Sequence, residues 1–285
     1  MKRRDTLKLM GSAALAATAV GTSISKGQES NISLNPANAE DLHYIHRKLA
    51  FSIDQRLTYW YIRAVRYGYR DGVFTPFWNM HVGIIYKLEN LADHKYMAKA
   101  VLKIFYTDIE TGELLETFNN PYSGEVREVM QPKLARANRI FVLRGVEQPA
   151  FDINSEKKNG PVTRNGDIGP AWIIGDDIWV NGDVIYRAEL PNDLGQLIQV
   201  NDWSTYQGSM KQVADPSLMS ADATHTFNDI NTFNHPWIGM EGVKAWSISR
   251  GFGRKSHSVE GMPETWRQFT EKSNPELIED NPNIF

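Results

Sequence analysis

Residues Ile104–Val129, IFYTDIETGELLETFNNPYSGEVREV, decide the fold. They read as three short strands joined by two tight turns, Asp108–Gly112 and Asn119–Gly124. Each turn ends in Gly followed by Glu, at Gly112-Glu113 and Gly124-Glu125. Glycine is the least costly residue at positive φ, which bulged hairpin loops commonly require. Apolar, aromatic and β-branched residues flank both turns, as strands demand. An antiparallel β protein follows. Asp108, Glu113 and Glu125 then serve as turn and strand-edge residues. A glycosidase pair would have to flank a cleft, and no cleft is visible in the sequence.

The same pattern extends in both directions. Upstream, Leu57–Tyr67, Phe77–Leu88 and Lys95–Thr107 are strand-like, with a turn at Gly68–Gly72. Strand alternation puts Tyr59, Tyr61 and Arg63 on one face and Trp60 and Ile62 on the other. His81 shares a face with Phe77 and Asn79, opposite Trp78 and Met80. Downstream, Ile140–Val146 is a candidate strand and Ser155–Gly166 a polar loop. Ala171–Ile174 and Asp177–Val180 flank a turn at Gly175-Asp176. Asn181-Gly182 is the strongest short hairpin signal, with Val184–Leu190 as its return strand. Gln196–Gln207, Ala223–Thr232 and Val243–Arg250 continue the pattern, the last ending at Gly251-Phe252-Gly253.

Two helices frame the strands. In Asn35–Ile53, Leu42, Ile45, Leu49 and Ile53 form one apolar stripe, and Asn35-Pro36 is a suitable start. His43 and His46 fall on the polar face of this helix. Pro263–Lys272 is a short closing helix. About ten strands at hairpin spacing predict a mainly β fold. It is an antiparallel β-barrel or strongly curved sheet with one N-terminal and one C-terminal helix. A two-sheet sandwich is the alternative.

The chain opens with Met1-Lys2-Arg3-Arg4-Asp5-Thr6-Leu7-Lys8, which resembles a twin-arginine export signal. Met10–Ile24 is only mildly apolar, whereas a permanent span needs ~20 strongly apolar residues. Residues 1–30 are therefore read as a removable signal and residues 31–285 as a single β-rich domain. Its end is open between Ala17-Thr18-Ala19 and Ala37-Asn38-Ala39, the second extending the signal to residue 39. This implies the twin-arginine export machinery as a partner, a periplasmic or secreted location, and no permanent membrane span afterwards.

With 31 basic and 34 acidic residues, the charge is nearly balanced, which argues against nucleic acid as the main partner. There is no Cys, so disulfides, thiolate metal sites and thiol nucleophiles are excluded. No phosphate-cradling glycine loop, serine-hydrolase elbow or zinc-protease motif occurs, and no cofactor is expected.

Tyr106-Thr107-Asp108, Thr111-Gly112-Glu113 and Asn120-Pro121-Tyr122-Ser123-Gly124-Glu125 occur in that order. Together with Trp60-Tyr61, Pro236-Trp237, Gly242-Val243-Lys244 and Met262-Pro263, they resemble a bacterial family called domain of unknown function 1838. The resemblance spans roughly residues 40–285. It implies a calycin-like barrel and carries over no catalytic residue.

A barrel of this kind can hold a small molecule. His81 lies mid-strand, where a polar ring needs a partner; it is either a bonded core histidine or a general acid or base. Arg63 on the neighbouring strand is either a salt-bridge residue or an anchor for an anionic group. Trp60, Trp78, Trp172 and Trp179 line an aromatic floor or fill the core. His225, Asp229 and His235 fall in an Asn-rich loop segment without standard metal spacing, and no metal site is expected. Three functions fit. One is an exported barrel binding a small, largely apolar or anionic molecule. Another is a cofactor-independent lyase or isomerase using His81 and Arg63 in the barrel cavity. The third is a protein-interaction module.

Overall fold

The computed structural model describes residues 31–143, 145–147, 163–189, 197–231, 235–240, 243–279 and 284–285. Residues 1–30, expected to be a removable signal, and most of Ser155–Gly166 lie outside them. Three long antiparallel strands, β1 (Thr58–Arg70), β2 (Val73–Ala92) and β3 (Lys95–Thr107), form one wall. After the short β4 (Thr117–Asn119) and β5 (Val126–Glu128) come β6 (Ala135–Val142), β7 (Gly145–Glu147), β8 (Thr163–Ile174), β9 (Asp177–Glu189), β10 (Leu197–Ser209), β11 (Ala223–Asn231) and β12 (Trp246–Ser256). The ring runs β1-β12-β11-β10-β9-β8-β7-β6-β3-β2 and closes where β1 pairs with β2. The mainly β architecture with a helix at either end is as expected.

Several local features differ from expectation. The turn between β1 and β2 is Asp71-Gly72 alone. Asn181-Gly182 is not a turn, because β9 runs straight through it. Gly175-Asp176 already makes the reversal, so Asn181 pairs with Thr205 and Gly182 with Ser204 on β10. β12 likewise continues through Gly251-Phe252-Gly253. A β-carbon at Gly251 or Gly253 would press on the β1 backbone, so these glycines permit close strand approach rather than a break.

The central stretch leaves the barrel wall after β3. Gly112 and Gly124 take φ of 74° and 73°, as the turns demand. β4 and β5 pair only with each other, forming a small separate sheet rather than continuing the ring. Asn120 fixes this hairpin. Its Oδ1 accepts from the Tyr122 and Ser123 amides, and its Nδ2 donates to the carbonyls of Ile238 and Gly239.

The first helix, α1 (Ala39–Ala50), starts later than expected. Asn38 caps it, accepting from the Glu40 and Asp41 amides at 2.8 and 3.3 Å. Leu42, Ile45 and Leu49 pack into one end of the barrel. Lys255 Nζ donates to the carbonyls of Lys48 and Leu49, and Trp60 Nε1 to that of Ala50. These bonds satisfy carbonyls that a helix C-terminus leaves open. His43 and His46 are buried, which corrects their expected place on a solvated face.

After the short α2 (Met210–Ala214), the closing helix, α3 (Glu264–Ser273), packs on the outside of β2 and β3. Trp266 is fully buried there and donates from Nε1 to the Lys103 carbonyl. Its indole occupies the space a β-carbon on Gly83 would need. The wall formed by β1, β2 and β3 is thus apolar on both faces, one toward the lumen and one toward α3.

Candidate functional site

Arg63 and His81 are directly opposed on β1 and β2, a register that places them on one face of the sheet. Their face is the outer one, under α3, not the lumen. His81 Nδ1 lies 2.7 Å from the Tyr61 hydroxyl, its Nε2 meets Arg63 Nη1, and the Thr107 hydroxyl is 3.2 Å away. The Phe269 ring of α3 lies edge-on to the imidazole. Burial, with the Arg63 charge, pushes His81 down to about 4, so it is neutral at pH 7. A barrel-cavity site built on His81 and Arg63 is therefore corrected: the two meet, but outside the barrel. The physical reason is that α3 makes the outer face as apolar as the inner one.

The four tryptophans do not form one floor. Trp60 and Trp78 are buried inside. Trp172 and Trp179 oppose each other on β8 and β9, and Trp172 is 49% exposed. His225 and Asp229 are on β11 rather than in a loop, and both are buried. Among the described residues, no three metal-ligating side chains form a cluster.

The lumen contains an arrangement drawn from five strands and one loop. Asp229, Ser249, Arg66 and Trp78 are register partners in one row across β11, β12, β1 and β2. Arg66 Nη1 donates to Asp229 Oδ1 at 3.2 Å and to the Ser247 hydroxyl at 3.1 Å. Asp229 Oδ1 also accepts from the Ser249 amide at 2.7 Å. Such desolvated pairs persist only when further hydrogen bonds support them. Next to this row, the Tyr106 hydroxyl and His235 Nε2 are 3.0 Å apart. His235 stacks on Trp237, and Trp78 packs against Tyr106, Phe118 and Trp237.

The electrostatics join these two pairs. Burial raises Tyr106 to about 12, with Arg66 opposing the shift and Asp229 adding to it. Burial lowers His235 to about 4, and Arg66 lowers it further. At pH 7 the site therefore holds a neutral phenol, a neutral imidazole and one buried ion pair. Of the six buried side-chain atoms that lack a hydrogen-bond partner among the described residues, two belong to this site: Trp78 Nε1, a donor, and Asn231 Oδ1, an acceptor. Asn231 neighbours Asp229 on the same inner face, its Nδ2 3.5 Å from Asp229 Oδ1.

The β4–β5 hairpin positions this site. Phe118 backs Trp78 and Trp237. Asn120 holds the carbonyls that follow Trp237. Gln131 accepts from the Tyr106 amide and donates to its carbonyl. Arg66, Asp229, Tyr106 and His235 were not assembled by sequence reasoning. The usable signal was the inward placement of Arg66, a charge on a face otherwise formed by Trp60, Ile62 and Ala64.

A second polar group lies at the α1 end. His46 Nδ1 is 2.8 Å from the Tyr96 hydroxyl, and Tyr206 stacks on His225. Outside the barrel, a groove of about 710 Å³ runs between α1 and the β2–β3 turn, lined in part by Asp41, His43, Arg47 and His94. A scan against models of known families matches none, and a search of curated proteins returns no relative.

Proposed function

We propose that the chain is an exported β-barrel that binds a small molecule with a largely apolar body and an anionic group. The observation that carries this is the pair of unpartnered buried atoms, Trp78 Nε1 and Asn231 Oδ1, beside Arg66. Each buried polar atom left unpaired costs about 1–3 kcal/mol, and a ligand supplying an acceptor and a donor offsets that cost. The rings of Trp78 and Trp237 suit a flat apolar body, and Arg66 suits a carboxylate. The test is native mass spectrometry of the mature protein, with tryptophan fluorescence titration by aryl carboxylates. A small acidic molecule should copurify, and Trp78→Phe, which keeps a ring but loses the N–H, should weaken binding about tenfold. A protein that carries no ligand and whose fluorescence no aryl carboxylate changes sinks the reading.

Export through the twin-arginine route to the periplasm or medium completes the proposal. Membership of the family called domain of unknown function 1838 belongs to it too, and rests on the quoted residues alone. The Ile32 amide donates to the Ala214 carbonyl at 2.9 Å, and Leu34 packs on the core. Cutting at Ala37-Asn38-Ala39 would remove those contacts and the Asn38 cap, so the proposal takes the cut at Ala17-Thr18-Ala19. Replacing Arg3 and Arg4 together by Lys should leave the precursor in the cytoplasm. Normal accumulation outside the cytoplasm would remove this assignment.

A further inference from the structure

We infer that the inner site does chemistry on its ligand: it moves a proton in an enolisable 2-oxo acid with an aromatic body, Tyr106 and His235 being the catalytic pair. This rests on the binding proposed above and goes beyond it. A merely structural ion pair needs no phenol–imidazole pair beside it. Here the 3.0 Å Tyr106–His235 contact stands next to Arg66 and against the stacked Trp78 and Trp237 rings. Acid–base catalysis requires a group able to take a proton and one able to give it, within hydrogen-bond reach of one substrate. The His235 ring nitrogen can take a proton and the Tyr106 hydroxyl can give one, and the two stand 3.0 Å apart, so a single substrate atom group can meet both.

The substrate carboxylate sits at Arg66, whose orientation Asp229 and Ser247 fix through Nη1. The aromatic body lies against Trp78 and Trp237. His235 takes a proton from the carbon next to the ketone. The C–H pair becomes the new C=C bond, and the carbonyl pair moves onto oxygen, where the Tyr106 hydroxyl donates a hydrogen bond. The proton then passes from His235 to that oxygen, giving the enol. The reverse sequence restores the ketone. Atoms and charge balance with no other reactant. Asn120 is a positioning residue, since it acts on the His235 loop through Ile238 and Gly239.

The test uses phenylpyruvate and the mature protein in deuterated buffer. Proton NMR follows exchange at the carbon next to the ketone, and tryptophan fluorescence follows binding in parallel. The wild type should exchange that position faster than buffer alone. Tyr106→Phe and His235→Gln should each slow the enzymatic part about 100-fold, while phenylpyruvate still binds. Circular dichroism confirms that each variant is folded, and the two substitutions lie on different elements, so one can stand in for the other. Binding with exchange at the buffer rate overturns the catalytic inference and leaves the binding proposal standing. Exchange that survives both substitutions also overturns it. Absence of any binding overturns both.

Discussion

Asn120 is fully buried, and its amide makes four hydrogen bonds, two within its own turn and two across to the Pro236–Ile238 turn and Gly239. Replacing it by Ala leaves two carbonyls without that donor and frees the segment carrying Trp237. Asn120→Ala should cost about 3 kcal/mol in urea unfolding and should weaken ligand binding as well. Gly112→Val is the contrasting change. A β-carbon there meets open space, so only the left-handed φ of 74° is penalised. That costs about 1–2 kcal/mol and should leave binding untouched. Equal effects on binding from the two variants would remove the positioning role. Gly112 and Gly124 were legible from sequence because a turn needing positive φ is a local matter. The role of Asn120 was not, since its partners lie more than a hundred positions along the chain.

At the scale of elements, α3 decides what His81 is. Trp266 fits against β2 only because Gly83 has no side chain. Gly83→Val should lift α3 from the sheet while the barrel persists. His81, released from burial, should then move from about 4 toward its ordinary 6.5, readable by NMR titration of its ring protons. An unchanged titration in that variant would show that α3 does not set the environment of His81. The same helix explains a failure of sequence reading. Alternation sorted the faces within β1 and within β2, but a period of two gives neither the register between strands nor which face points inward. Burial of both faces removed the usual polar signature of the outer one. Asn181-Gly182 misled for a different reason: the hairpin signal assumes that the strand ends there, yet β10 pairs with both residues and β8 with Gly182. His43 and His46 looked polar, but they pack around Tyr96 at the barrel end.

For the whole molecule, buried neutral histidines set the acid limit. His46 and His225 are lowered to about 3, mainly by burial. Their folded pKa values lie below the unfolded value of 6.5. The unfolded chain therefore binds more protons between pH 6.5 and about 3, and stability present above pH 6.5 is lost as pH falls. At pH 5 each of the two accounts for about 2 kcal/mol. His43, His81 and His235, lowered to about 4, add to the drop that urea unfolding at pH 7 and pH 5 should show, and His225→Phe should reduce that drop by about 2 kcal/mol. A stability that does not change between these pH values would mean that these imidazoles are accessible or charged in the native state. The overall class, strand count and end helices were legible because they follow from local periodicity. The inner site was not, because it draws one or two residues from each of six segments that only the closed ring brings together.

The ring is not equally strong all round. β1 pairs with β2 and β12 over long registers, whereas among the described residues β7 meets β8 through one pair, Gly145 with Asp167. Mechanically the barrel is a long strip bent into a hoop and fastened by a small clasp. When the hoop loosens, the clasp gives first, and the strip can uncurl there without disturbing the β1–β2–β3 wall. Amide hydrogens near the clasp should exchange long before those of that wall.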